Sequence, residues 1–435
     1  MSMENSLCPC GREHRVVTRA EIGVGAAPRL GRMLLAAGWG EPILLVADAN
    51  TWQAAGEAVV QSLLEAGIPC RRQVFPSGDL HTDERMVGAI LMALDDTVGR
   101  IVAVGSGTIN DACRFVAKRT GLPYLVVGTA PSMDGYASDV TPVNRAGMKI
   151  TYPGVAPQVV VGDLAVLADA PLPLLAAGFG DLFGKVNAAL DWKLAHALTG
   201  EYRCEAVAAQ VDRAVTAALT AAPDLPRRDV AAVGGLMEGL VLSGLAMQMV
   251  GNSRPASGAE HHISHFWEMR DMARGRRSTL HGDKVGVATL LTLRLYEKFL
   301  TGEHPAVSPA ASRAEWEEGL RHVYGALAPA ILAQAPERHF DPSWRRQVLD
   351  EMTTCWQEIR GWAAGLPALR TQGEAALRAM GAPVRPADLG YARQDTLDAL
   401  RWAMEVRDRF TILRLCWLCG CLDRLVEEVV DEFCQ

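Results

Sequence analysis

The chain has no uninterrupted apolar run of about 18 residues, the length that a membrane-crossing helix requires. Its opening stretch, MSMENSLCPCGREH, lacks the apolar core of an export signal. Positive charge is in short supply: 43 Lys and Arg stand against 50 Asp and Glu, the formal net charge is −7, and no basic run appears. That balance argues against nucleic acid or an anionic membrane as the main partner. The sequence contains no internal repeat and no low-complexity tract. The expectation is a cytoplasmic protein without membrane insertion, whose ten cysteines are reduced thiols. What remains is the composition of a well-cored globular chain, 49% hydrophobic and 21% charged, with 435 residues for two or three domains.

The two halves differ in pattern. From about Arg15 to Leu167, short runs rich in Val, Ile and Leu predict strands at Ile43–Ala47, Cys70–Phe75, Arg100–Val104, Tyr124–Val127 and Gln158–Val161. Amphipathic stretches at Ala54–Ala66, Asp83–Leu94 and Asn110–Thr120 predict helices between them, the alternation of βαβ units around a parallel sheet. From Pro171 onward the strand signal stops. Alanine- and leucine-rich segments predict helices at Leu172–Thr199, Glu205–Ala221, Val230–Met249, Lys284–Leu300 and Arg393–Asp431. The reading is an α/β N-terminal domain, residues 1–167, followed by an all-α C-terminal domain, residues 168–435.

The first half carries phosphate-binding signals. RIVAVGSGTIND passes from strand directly into helix. Gly105 and Gly107 let backbone N–H groups approach a phosphate, and the helix N-terminus adds partial positive charge. Asn110 stands where the third glycine of the dinucleotide fingerprint would be. A second loop, GTAPSMDGYASD, follows the next predicted strand. Asp48 closes ILLVAD; an acid there hydrogen-bonds a ribose hydroxyl or, equally well, caps a helix.

The second half carries the metal signal. SRPASGAEHHISHFWEM places His261, His262 and His265 within five residues, and His281 follows in LHGDKVG. His261 and His265 are four apart and share a helix face. Asp181 is the lone acid of the apolar GFGDLFGK. One carboxylate and two imidazoles with an open position suit a catalytic divalent metal. Spacing does not decide between His261 and His262. Two cysteine groups also stand out. Cys8 and Cys10 with His14 offer three donors where a structural zinc usually takes four, and Cys416, Cys419 and Cys421 read as small core residues on a helix.

Taken together, GSGTIND, TAPSMDGYAS, GFGDLFGK, SRPASGAEHHISHFWEM and LHGDKVG resemble the sn-glycerol-1-phosphate dehydrogenase family, a branch of the superfamily of glycerol dehydrogenase, iron-containing alcohol dehydrogenases and dehydroquinate synthase. The resemblance runs from Ile43 to DRFTIL near Arg409 and implies a dehydroquinate synthase-like fold. It implies reversible NAD(H)- or NADP(H)-dependent reduction of dihydroxyacetone phosphate to sn-glycerol 1-phosphate, a phospholipid precursor, with one zinc or nickel ion per chain. Cofactor contacts then fall on Asp48, on Gly107, Thr108, Ile109, Asn110 and Asp111, on Thr129, Ala130, Pro131 and Ser132, and on Ser138. Metal ligands fall on Asp181, His261 and His281. Substrate contacts fall on Asp134, Asp181 and His265, with His265 and Asp181 at the chemistry.

The expected reaction delivers hydride to the C2 carbonyl of a metal-polarised ketone, with His265 orienting the substrate or passing a proton. The alternative role for His265 is to support the metal ligands. Arg254 and Lys149 are the candidate cations for the substrate phosphate. A polyol dehydrogenase acting on an unphosphorylated substrate and a non-catalytic nucleotide-binding regulator are the competing readings. The apolar C-terminal helices are compatible with a homodimer.

Overall fold

The computed structural model describes residues 8–78, 80–145, 148–302, 312–334 and 337–434. Eight strands lie among them: β1 (Arg19–Gly23), β2 (Ile43–Asp48), β3 (Cys70–Phe75), β4 (Arg100–Gly105), β5 (Tyr124–Gly128), β6 (Val140–Arg145), β7 (Met148–Pro153) and β8 (Val159–Asp163). The helices that carry the argument are α1 (Gly107–Thr120), α2 (Leu172–Phe183), α3 (Lys185–Thr199), α4 (Val230–Val250), α5 (Ala259–Ala273) and α6 (His281–Thr301). The chain forms two compact units, residues 1–182 with 209–252, and residues 183–208 with 253–435.

The first unit is built on a six-stranded parallel sheet of order β1-β8-β5-β4-β2-β3. β4 and β5 are buried along their whole length, as expected of strands covered on both faces. The chain runs from β2 outward to β3, then returns across β2 to β4. The order in which strands are added therefore reverses between β2 and β4, and the carboxyl ends at such a switch point are where open α/β sheets bind ligands. All five predicted strands are present. β1 and the antiparallel β6–β7 hairpin were not anticipated. β1 is short and charged (RAEIG), and TPVNR reads locally as a loop.

The sequence boundary at 167/168 is not where the compact units divide. Most of α2 and all of α4, from the alanine-rich half, belong with the sheet. α4 is apolar around its whole circumference and, at 21 residues, is long and apolar enough to cross a membrane; most of it is buried within the protein.

The second unit is helical. The predicted segment Leu172–Thr199 is two helices, α2 and α3, separated at Gly184. Arg393–Asp431 is three α-helices, Arg393–Trp402, Ile412–Leu418 and Leu422–Phe433. The last break falls at Gly420, whose φ of +70° no helix accommodates. Cys416, Cys419 and Cys421 thus straddle two helices; the first two are core residues and the third is half-buried.

Candidate active site

In the first unit, β4 enters α1 through Ser106, which makes no side-chain cap, so the first N–H groups of α1 have no such partner. A Cβ on Gly105 would come within 2.8 Å of the Ile109 side chain, whereas one on Gly107 would only touch the Met133 side chain at 3.8 Å. A cavity of about 160 Å³ opens at the switch point, lined by Asp48, Asn50, Gly78, Leu80, Ser106, Thr108 and Ile109. Asp48 takes the capping role: Oδ1 accepts from the N–H groups of Asn50 (2.8 Å) and Thr51 (3.0 Å), and the residue also lines the cavity.

The loop after β5 packs close to this turn. Thr129 N–H donates to the Gly105 carbonyl at 3.3 Å, and Tyr136 Oη donates to the Ala130 carbonyl at 2.6 Å. α2 presses on the same loop: a Cβ on Gly178 would sit 1.7 Å from the Pro131 carbonyl oxygen. Asn110 is fully buried and donates to the Gly135 carbonyl at 3.2 Å, while Asp111 pairs with the buried Arg114 at 2.6 Å. Ser138 is buried, its Oγ accepting from the Val140 N–H at 3.2 Å.

Two of the residues assigned to substrate meet within this unit. Asp181 is fully buried, and its Oδ2 accepts from the Asp134 N–H at 2.9 Å. Asp134 Oδ2 accepts in turn from Ser243 Oγ on α4, also at 2.9 Å. The signal for Ser243 is a lone serine in LVLSGLAM.

In the second unit, α5 and the first turn of α6 bring three imidazoles together. Ring centroids are 6.1 Å apart for His261 and His265, 5.4 Å for His261 and His281, and 5.5 Å for His265 and His281. Each ring is held through Nδ1 by a buried carboxylate. His261 Nδ1 is 2.7 Å from Glu260 Oε1. His265 and His281 share Glu268, at 3.2 and 3.1 Å. Burial pushes Glu260 up, but the His261 hydrogen bond and charge, with donors from Gly258 and Asn187, hold it below its ordinary value. An ionised Glu260 accepts a hydrogen bond from His261 Nδ1–H and leaves Nε2 as the lone-pair nitrogen, the arrangement that orients metal-binding imidazoles. His265, Glu268 and His281 also present donor atoms within 4.8 Å of one another. Glu268 already accepts from two rings and pairs with Lys284 at 3.4 Å, so its place is behind the rings.

His262 lies apart in character. It is fully buried, neither ring nitrogen has a hydrogen-bond partner among the described residues, and burial with three nearby guanidinium groups keeps it neutral. His265 is also pushed down, to about 3, by burial first and by Arg407 and His281 against the pull of Glu268. At neutral pH it is an uncharged imidazole.

Of the two cations named for the phosphate, one is held elsewhere. Arg254 is committed to Glu201 through two bonds of 2.8 and 2.7 Å and to the Phe410 carbonyl at 2.7 Å. The side chain of Lys149 lies outside the described residues. Arg407 and Arg409, in the stretch between two C-terminal helices, were missed by sequence reasoning. Neither pairs with a carboxylate among the described residues. Arg409 donates to Ser253 Oγ (2.6 Å) and the Ser257 carbonyl (3.0 Å), and Arg407 to Ser253 Oγ (3.4 Å). Burial and the neighbouring positive charge push Arg409 down to about 9. The available signal was the pattern Arg-Asp-Arg at a helix break.

The first unit holds a parallel sheet with a glycine turn at its switch point and the second holds clustered histidines; residues 21–171 match the family model described as iron-containing alcohol dehydrogenase. The crystal structure of glycerol dehydrogenase from Schizosaccharomyces pombe has the same fold, with a TM-score of 0.60 at 15% identity over 99% of this chain and 93% of that one. Sequence relatives are closer. Glycerol-1-phosphate dehydrogenase [NAD(P)+] of Halalkalibacterium halodurans is 38% identical over 297 residues, covering 67% of this chain and 74% of the relative. The protein of that name from Bacillus subtilis is 34% identical over 378 residues, covering 86% and 84%. The chain belongs to the glycerol-1-phosphate dehydrogenase family of oxidoreductases.

Proposed function

We propose that this protein reduces dihydroxyacetone phosphate to sn-glycerol 1-phosphate with NADH or NADPH at a divalent metal, supplying a phosphoglycerol precursor for phospholipid synthesis. The observation that carries the phosphorylated substrate is the pair Arg407 and Arg409, two guanidinium groups with no carboxylate in salt-bridge contact among the described residues, electrostatically coupled to His262 and, through Arg407, to His265. Guanidinium forks match phosphate oxygens in geometry and charge.

Asp181, His261 and His281 are the proposed metal ligands, with zinc or nickel suited to the imidazoles. The carboxylate behind each ring supports that assignment. When bound, the metal polarises the ketone oxygen and the nicotinamide supplies hydride. The chain's own residues do the rest. Glu260 and Glu268 fix ring orientation. His265, neutral and beside Arg407, donates a hydrogen bond to the substrate and relays a proton through water. Asp134 holds the Asp181 carboxylate in place through its N–H. The turn at Ser106 to Thr108 and the loop at Thr129 to Ser132 cradle the pyrophosphate, with Asp48 at the adenine ribose. An acid there repels the extra phosphate of NADPH, so NADH is the expected partner. The sheet unit is the proposed nucleotide-binding part and the helical unit the main source of metal and substrate contacts; the reading carries with it a cytoplasmic homodimer, which sedimentation checks.

The experiment is a dihydroxyacetone phosphate-dependent NADH oxidation assay with the product enantiomer identified. Dihydroxyacetone phosphate should exceed dihydroxyacetone in kcat/KM by about 10⁴-fold, because a missing phosphate leaves buried donors unsatisfied. Arg409→Gln should shrink that ratio. Equal kcat/KM for the two ketones in the wild type would establish a polyol dehydrogenase instead.

A further inference from the structure

We propose that the N-terminal segment CPCGREH holds a second metal ion, a zinc ligated by the thiolates of Cys8 and Cys10 and by His14 Nε2. The three donor atoms lie within 4.8 Å of one another. Cys10 Sγ is 3.4 Å from His14 Nε2. Zinc bonds of about 2.3 Å to sulfur and about 2.05 Å to imidazole, opened at the tetrahedral angle, put those two donors about 3.5 Å apart.

The histidine tautomer fits the same role. His14 Nδ1 lies 2.6 Å from the carbonyl oxygen of Met249. A carbonyl only accepts, so Nδ1 carries the proton, and Nε2, the nitrogen facing the thiol, keeps its lone pair. The backbone gathers the thiols around a tight turn. Gly11 N–H donates to the Cys8 carbonyl at 2.8 Å, and Cys8 N–H donates to the Arg12 carbonyl at 3.1 Å. Gly11 takes a φ of +80° there, which a residue with a Cβ would resist. Core packing does not explain these cysteines: Cys8 and Cys10 are half-buried, whereas Cys113 and Cys416 are fully buried. Two thiolates neutralise the ion, and the fourth position falls to a donor outside the segment. The ion would pin residues 8–14 to the end of α4, where Met249 lies.

This site contains sulfur and the proposed catalytic ligand set does not, which separates the two metals experimentally. A mercurial displaces zinc from thiolates and leaves a carboxylate–imidazole site alone. Full-length protein from zinc-supplemented growth is dialysed, treated with p-hydroxymercuribenzoate, and the released zinc read with a chromogenic chelator. The expected release is one equivalent per chain from the wild type and from His261→Ala, and none from the Cys8→Ser, Cys10→Ser double variant. X-ray absorption at the zinc edge of the His261→Ala protein should show at least two sulfur neighbours. No mercurial-released zinc from the wild type, or an edge spectrum without sulfur, overturns the proposal and leaves Cys10 and His14 as a thiol–imidazole hydrogen bond. Both decisive measurements use proteins with the segment intact, so a double variant that fails to fold does not affect them.

Discussion

His261 and His265 share one helix face, yet different carboxylates hold them and their surroundings differ. Glu260 orients His261 with a short bond, while Arg407 bears on His265. The two should therefore fail differently. His261→Ala should lose metal and turnover together while NADH binding, read by fluorescence, persists. His265→Ala should keep its metal, measured by elemental analysis, and lose kcat/KM for dihydroxyacetone phosphate. A His265→Ala protein without metal would exchange the two assignments. Glu260→Gln should retain the fold and weaken metal affinity about 10–100-fold. The histidines were legible because three imidazoles in five residues are rare in a core. Glu260 and Glu268 sat in the same seventeen residues and were not legible, because an acid behind a ring is recognised only when tertiary structure puts the ring in front of it. Arg407 and Arg409 were missed for the converse reason: an arginine is conspicuous only by lacking a carboxylate, and sequence does not show who its neighbours are.

The loop after β5 depends on α2 having no side chain at position 178. Gly178→Ala would drive a methyl group into the Pro131 carbonyl. The expected cost is about 1–3 kcal/mol, with the loop displaced and NADH affinity reduced. Unchanged NADH titration in that variant would free the loop from its cofactor role. Elsewhere, α6 is tied to the helix Leu422–Phe433 through Glu432, bonded to Arg294 at 2.7 Å and to Lys298 at 2.9 Å. The Arg294 hydrogen bond, with Lys298, holds Glu432 at about 2. A depressed carboxylate contributes stability above its unfolded pKa of about 4.3 and loses it as pH falls toward its folded value. The group is 39% exposed, so screening limits the contribution to about 1 kcal/mol or less. Glu432→Gln should lower denaturant stability by that amount at pH 7, and the difference should fade between about pH 4 and 2. Element types were largely readable, because four of the five predicted strands, β2, β4, β5 and β8, are buried and rich in Val, Ile and Leu. The edge strand β1 and the hairpin strands β6 and β7 carry arginine, proline or glutamate instead and left no such trace.

At the scale of the whole chain, composition excluded more than it specified. The alternation of strands and helices gave the α/β-then-α order, but not which helices pack with the sheet. α4 is far along the sequence and joins the first unit, a choice made by packing that periodicity cannot express. Among the described residues the sheet also ends in two strands bonded on one side only, β1 and β3. An unpaired strand edge is a template on which another chain can add itself, and its hazard is greatest at the high concentrations met during synthesis. β1 exposes Arg19 and Glu21, and β3 exposes Arg71 and Arg72 side by side. Like charge on β3 makes a second copy an unfavourable guest. The double exchange Arg71→Val, Arg72→Val should leave turnover intact and raise light scattering on refolding; the two arginines are thus what keeps the sheet from growing at β3.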